Sequence, residues 1–237
     1  MSGPGGRSGD NHRADARVSG PGGRSGDMHV LVMAKSPVAG RVKTRLCPPC
    51  TPEEAAGLAE AALADTLDSV AACGADRRII ALDGAPGPWL PAGFEVVPQV
   101  DGAFDRRLAA AWAAAGGPGV QIGMDTPQVT AELLDEALSA LDTTSAALGF
   151  AADGGWWAIG LRRPDARVFH DIAMSTSGTG EAQLARLIGL GLEITALPTL
   201  VDLDTIADLP AVIADGRAIR TAALARTLDV LPIAAHL

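Results

Sequence analysis

His29-Val30-Leu31-Val32-Met33 runs straight into Ala34-Lys35-Ser36-Pro37-Val38-Ala39-Gly40-Arg41-Val42-Lys43-Thr44-Arg45-Leu46. The first five residues read as a buried strand. The remainder reads as a loop with a proline, a glycine and four cations. An open α/β sheet usually binds phosphate in the loop after its first strand. The only two lysines of the chain, Lys35 and Lys43, both lie in this loop, although arginine is used everywhere else. A lysine kept against that bias invites a chemical reading, and a solvated basic loop is the plain alternative.

Outward from this stretch, strands and helices alternate. Thr51-Pro52-Glu53-Glu54 is a capping box with proline at the first helical position. Leu58, Ala62, Leu63, Thr66, Leu67 and Val70 then mark one buried helical face. Further strands are expected over Arg78–Leu82, Phe94–Val97, Gly119–Gly123, Ser145–Phe150, Trp156–Leu161 and Leu192–Leu197. Phe104, Leu108 and Trp112 recur every fourth residue and place a helix over 103–115. Thr130 caps another, a further helix falls near 180–190, and helical sequence runs from Asp204, with Pro210 interrupting it. The alternation predicts an α/β fold: a mostly parallel central sheet with helices on both faces, in a single domain. Right-handed crossovers then bring the strand-to-helix loops to one edge.

Composition narrows the function classes. The chain has 237 residues and a net charge of −9, so no broad basic face is available to displace phosphate counterions, and a nucleic-acid binder is not expected. No apolar run has membrane-spanning length, and no hydrophobic leader core follows the N-terminal arginines, so stable membrane insertion is not expected and a cytoplasmic protein is. Ser2-Gly3-Pro4-Gly5-Gly6-Arg7-Ser8-Gly9-Asp10 recurs verbatim at 19–27. With almost no apolar side chains to bury, residues 1–27 are expected to be a disordered tail, the folded domain spanning 28–237 and Met28 offering itself as a translation start. Cys47-Pro48-Pro49-Cys50 has redox-pair spacing, but the plainer reading is two small loop residues, since nothing nearby completes a metal tetrahedron.

Three loops carry suggestive aspartates. Asp125, in Gly123-Met124-Asp125-Thr126-Pro127, follows a core strand and is well placed to ligate a hard cation such as Mg²⁺. Asp202-Leu203-Asp204-Thr205 presents two more carboxylates, although on local grounds Asp204 reads first as a helix N-cap. Asp153-Gly154-Gly155 reads locally as a hairpin turn. Gln99 begins a loop that enters the 103–115 helix. Met174-Ser175-Thr176-Ser177-Gly178 precedes a helix whose backbone amides could hold an anion, or is an ordinary Ser/Gly loop.

The motifs Ala-Lys-Ser-Pro-Val-Ala-Gly-Arg-Val-Lys-Thr-Arg-Leu, Gly-Met-Asp-Thr-Pro, Asp-Gly-Gly-Trp-Trp and Val-Asp-Leu-Asp-Thr, in that order over 28–210, resemble a bacterial family of GT-A-like glycosyltransferases. It is the type labelled rSAM/selenodomain-associated transferases, within the nucleotide-diphospho-sugar transferase and nucleotidyltransferase superfamily. The resemblance implies a Rossmann-like GT-A domain and a metal-dependent transferase with a nucleotide or nucleotide-sugar donor, a small-molecule acceptor and Mg²⁺ or Mn²⁺. It implies that Lys35, Gly40, Lys43, Arg45 and Gln99 bind the nucleotide, with Lys43, Arg45 and Asp153 serving catalysis. Asp125 and Asp204 would hold the metal, and Asp153, Gly154, Gly155 and Trp156 would face the acceptor. This sequence has Trp156 and Trp157 where the family commonly has tyrosines, and Ala151-Ala152 where an acidic residue is frequent. A non-catalytic nucleotide-binding or interaction protein that kept the fold is the alternative reading.

Overall fold

The computed structural model describes Met1 and residues 27–231. The expectation for the duplicated tail therefore falls, apart from Met1 and Asp27, outside the described residues. The elements run β1 (His29–Lys35), α1 (Pro52–Ala72), β2 (Arg77–Asp83), β3 (Glu95–Pro98), α2 (Phe104–Ala115), β4 (Gly119–Gly123), α3 (Ala131–Thr143), β5 (Ala146–Ala151), β6 (Trp156–Leu161), α4 (Thr179–Gly189), β7 (Ile194–Leu200), α5 (Leu209–Ile213) and α6 (Ile219–Thr227). Among the described residues, no helix is long and apolar enough to cross a membrane.

The seven strands form one sheet in the order β3-β2-β1-β4-β6-β5-β7. Only β6 runs against the rest, pairing antiparallel with both β4 and β5. The C-terminal ends of β1, β2, β3, β4, β5 and β7 therefore share one edge. The fold class read from the sequence is the one observed.

Two apolar faces arise from the period of two along the strands. Val30, Val32, Ile80, Val120 and Ile122 pack under α1 and α3 with Leu67, Leu134 and Trp157. Leu31, Met33, Ile79, Leu148 and Ile159 pack under α2 and α4 with Leu108, Trp112 and Leu187. Trp157 is fully enclosed and donates its indole N–H to the Pro198 carbonyl at 2.9 Å, so it is a core residue.

A third apolar cluster has no counterpart in the sequence reading. Leu46 and Cys50, after the cationic loop, join Leu58 of α1, Leu203 after β7, and Leu209, Val212 and Ala225 of the two last helices. The α1 cap is as read: Thr51 Oγ1 accepts from Glu54 N–H, and the Glu54 carboxylate accepts from Thr51 N–H at 2.7 Å. Two expectations at the C-terminal end are corrected. Thr205, not Asp204, caps the next turn, because Asp208 reciprocates in a capping box. Pro210 lies in the first turn of α5 rather than interrupting it, since proline's missing N–H is one of the unpaired donors there. The helical run breaks instead at 214–218, where Gly216 has a φ of +75°.

His29 opens β1 at the opposite edge. Its imidazole is enclosed and meets the Trp112 ring edge-on at 5.1 Å. Burial, reinforced by the Arg77 cation, pushes its pKa down to about 4. The unfolded chain takes up this proton near pH 6.5 and the folded one does not, so this residue lowers stability as pH falls between those values. His29→Leu should therefore gain about 2.5 kcal/mol on the wild type between pH 7 and pH 4.5. Denaturant melts at both pH values check it, and parallel behaviour of the two proteins would contradict it.

Candidate functional site

Lys43 is held by its surroundings. Leu46, three residues on, is fully buried in the third cluster, and its N–H donates to the Lys43 carbonyl at 2.9 Å. The 3-10 turn Thr44–Leu46 so anchored leaves Lys43 at its N-cap with φ 47° and ψ 36°, a left-handed conformation uncommon for a side chain with a Cβ. Leu203 is the matching anchor after β7: it is fully buried, and its N–H donates to the Asp125 carbonyl at 2.8 Å. Gln128, buried, donates to the Val201 carbonyl at 2.6 Å and ties the same two loops.

These anchors bring Lys43, Asp125 and Asp204 together. Lys43 Nζ lies 2.6 Å from Asp125 Oδ1 and 3.2 Å from Asp204 Oδ1. Its side chain is 7 % exposed, whereas Arg45 is 74 % exposed and reaches Asp204 only at 3.5 Å. Burial alone would lower the Lys43 pKa, but Asp125 and then Asp204 outweigh it and hold the ammonium above its ordinary value. Asp202, which the sequence reading left without a role, belongs to the same group. Burial, then the charges of Asp125 and Asp153, push its carboxyl up to about 7, against an opposing pull from Lys43. Its signal lay in the Asp-Leu-Asp spacing about a buried leucine, since residues two apart in extended chain face the same way.

The remaining predicted residues are placed unevenly. Lys35 is exposed and lines a cavity of about 220 Å³ with Ser36, Val38, Arg41, Asp83 and Gly84. Gly40 turns the loop with φ +73°. Gln99 is fully engaged within the fold. Its amide nitrogen donates to the carbonyls of Ala34 (2.8 Å) and Ala81 (2.7 Å), and its oxygen accepts from Arg107, which also donates to Asp83 at 3.1 Å. Asp153 is exposed in the β5–β6 hairpin and accepts from Gly155 N–H at 2.8 Å. Gly154, with φ +91°, offers its carbonyl to Gly180 N–H at 2.8 Å and docks the start of α4 on the hairpin. Trp156 is half-buried against the α2/α4 core. The 174–178 loop is closed on itself, with Thr179 Oγ1 donating to the Ala173 carbonyl at 2.8 Å. Cys47 and Cys50 are free thiols, and burial with Glu54 and Cys47 raises the Cys50 pKa, the opposite of a reactive thiol.

The donor set suits a hard cation that completes its shell elsewhere. Asp125 and Asp204 both reach one cationic atom, which is what two carboxylates holding Mg²⁺ must do. Among the described residues no group of three or more His, Cys, Asp or Glu side chains is placed to hold a metal. A divalent ion here would complete its shell with water or with the oxygens of a bound phosphate.

A bacterial family model described as "Uncharacterized protein conserved in bacteria (DUF2064)" matches residues 57–176, just over half the chain. The chain belongs to this family. The matched segment contains Asp125 and Asp153 but neither Lys43 nor Asp204. Among solved structures, the "putative nucleotide-diphospho-sugar transferase" of Desulfovibrio desulfuricans G20 is similar at 27% identity and a TM-score of 0.77, covering 85% of this chain and 95% of its own. A CMP:2-keto-3-deoxy-manno-octonic acid synthetase complexed with CTP shares the fold at 12% identity and a TM-score of 0.51, covering 84% and 100%. So does the 4-diphosphocytidyl-2C-methyl-D-erythritol synthase of Anaerococcus prevotii DSM 20548, at 12% identity and 0.50, covering 80% and 96%. No curated protein matches.

The Asp202 environment has a measurable consequence. A folded-state pKa above the unfolded value means that this carboxyl contributes stability at low pH and loses it as pH rises from about 4 through 7. In EDTA, Asp202→Asn should melt above the wild type at pH 8.5 and by a clearly smaller margin at pH 5, where only the first part of that loss has occurred. A difference of equal size at both pH values would contradict the crowding of carboxylates described here.

Proposed function

We propose that this protein is a metal-dependent transferase acting on a nucleotide donor. The observation that carries the reading is the junction of Lys43, Asp125 and Asp204 at the C-terminal edge of the sheet, where Val42, the residue before Lys43, lines a small cavity. That edge is where open α/β sheets bind nucleotides. The relative at 27% identity, named for a nucleotide-diphospho-sugar, favours glycosyl transfer from such a donor. Nucleotidyl transfer from a nucleoside triphosphate to a small phosphorylated acceptor is the second form, supported at the level of fold.

In this reading Asp125 and Asp204 hold Mg²⁺ or Mn²⁺ against the donor phosphates. The bound ion would neutralise charge on the phosphate that leaves or is attacked. Lys43 and Arg45 supply cationic donors to the same oxygens, from a loop whose backbone is already fixed, so little reorganisation accompanies the reaction. Lys35, Arg41 and Asp83 all line the cavity, giving a nucleoside both donors and an acceptor. The Arg107 and Gln99 braces keep Asp83 in place. In this reading Asp153, on the hairpin at the same edge, faces the acceptor and takes the proton of its attacking group.

A thermal-shift panel with Mg²⁺ tests the donor class. A donor at a hundredfold its Kd should add about 2.7 kcal/mol of stability. UDP- or GDP-sugars that stabilise where nucleoside triphosphates do not assign glycosyl transfer, and the reverse assigns nucleotidyl transfer. Stabilisation by neither class overturns the reading. With a donor in hand, Asp125→Ala should lower turnover by about 10²–10³, and near-wild-type turnover would remove Asp125 from the metal site.

A further inference from the structure

Lys43 sits where a metal held by Asp125 and Asp204 would have to sit. Its ammonium touches one oxygen of each carboxylate, at 2.6 and 3.2 Å, and its side chain is almost wholly withdrawn from solvent. Two cations cannot share that position. Arg45, two residues on, has most of its side chain in solvent and makes only a loose contact at 3.5 Å with the other oxygen of Asp204. Of the two cations predicted to meet phosphate, one is therefore free to do so and the other is committed to the carboxylates.

We propose that Lys43 is the resident counter-cation of the Asp125/Asp204 pair, and that a divalent metal enters by exchanging with its ammonium. This inference rests on the metal reading above. The backbone at Lys43 is fixed by its carbonyl's hydrogen bond from Leu46 and by the buried Leu46 side chain, so the exchange is a turn of the lysine side chain about a fixed loop. A bound phosphate offers the displaced ammonium a new anionic partner and offers the metal the oxygens that two carboxylates do not supply. Metal and donor phosphate then favour each other's binding, and by linkage they do so equally. Without phosphate, the ammonium keeps the pair neutralised and the metal site weak. The Lys43 cation that would later assist transfer is thus also the device that keeps the site from filling with metal alone.

Mn²⁺ binding to the full chain without nucleotide, followed by the EPR signal of the free ion, tests the exchange. Lys43→Met and Lys43→Gln should each bind Mn²⁺ at least about tenfold tighter than the wild type. Arg45→Gln removes an equal charge that does not stand between the carboxylates, and should change the affinity by less than about threefold, as expected for an exposed and screened group. Equal or weaker binding by the Lys43 variants, or an equal gain from Arg45→Gln, overturns the exchange while leaving the metal site standing. No Mn²⁺ binding by any of the proteins overturns both. A second measurement needs no variant. With two lysines in the chain, acetic anhydride labelling read by mass spectrometry can use exposed Lys35 as the standard for Lys43. Saturating Mn²⁺ should raise Lys43 labelling relative to Lys35, and a Lys43 that stays protected at saturation overturns the proposal.

Discussion

The contact of one buried ammonium with two carboxylates organises the site. Lys43, Asp125 and Asp204 come from the loops after β1, β4 and β7, and each loop alone would be an ordinary charged turn. Brought together, they add the charges of Asp125 and Asp153, only partly offset by Lys43, to the burial that chiefly raises the pKa of Asp202. Lys43 is the buried member, and without the two carboxylates its ammonium would be left uncompensated. The arrangement therefore needs a strong external anchor. It is supplied by Leu46 and Leu203, which sink into one apolar cluster and carry the charged residues beside them to a common point.

Topology explains why the loops can meet. Strand β6 is the single reversed strand, and it returns the chain through the middle of the sheet. The β5–β6 hairpin, with Asp153, and the loop after β7, with Asp202 and Asp204, thus open on the same edge as the loops after β1 and β4. A second antiparallel strand would have sent one of these carboxylates to the far edge, where His29 lies.

Much of this was legible in the sequence, and the rest was hidden for identifiable reasons. All seven strands and the Thr51 and Thr130 caps were readable because local chemistry decides them: short apolar runs, and hydroxyl side chains before helical ones. Asp204 was misread as a cap because Asp208, four residues on, accepts from the N–H groups of both Asp204 and Thr205. Gln99 was read as a nucleotide-binding residue, yet its amide bridges the carbonyls of Ala34 and Ala81, partners 65 and 18 residues away. Asp202 and Gln128 were missed for the same reason, since their partners belong to other loops. Trp157 proved to be packing, with its indole N–H satisfied by the main chain. The third apolar cluster was invisible because the members that α1 meets there lie in segments too short to show a period.

The central claim is that a nucleotide's phosphates and a divalent ion meet between these three loops. A crystal structure of the protein soaked with Mn²⁺ and the nucleotide that most raises its melting temperature, with data at the manganese absorption edge, tests it most directly. The account predicts an anomalous peak bonded to Asp125 and Asp204, phosphate oxygens completing its shell, and Lys43 Nζ turned from the carboxylates to those phosphates. Nucleotide bound at another face, or bound here with Lys43 still between the two carboxylates and no manganese peak, would contradict it.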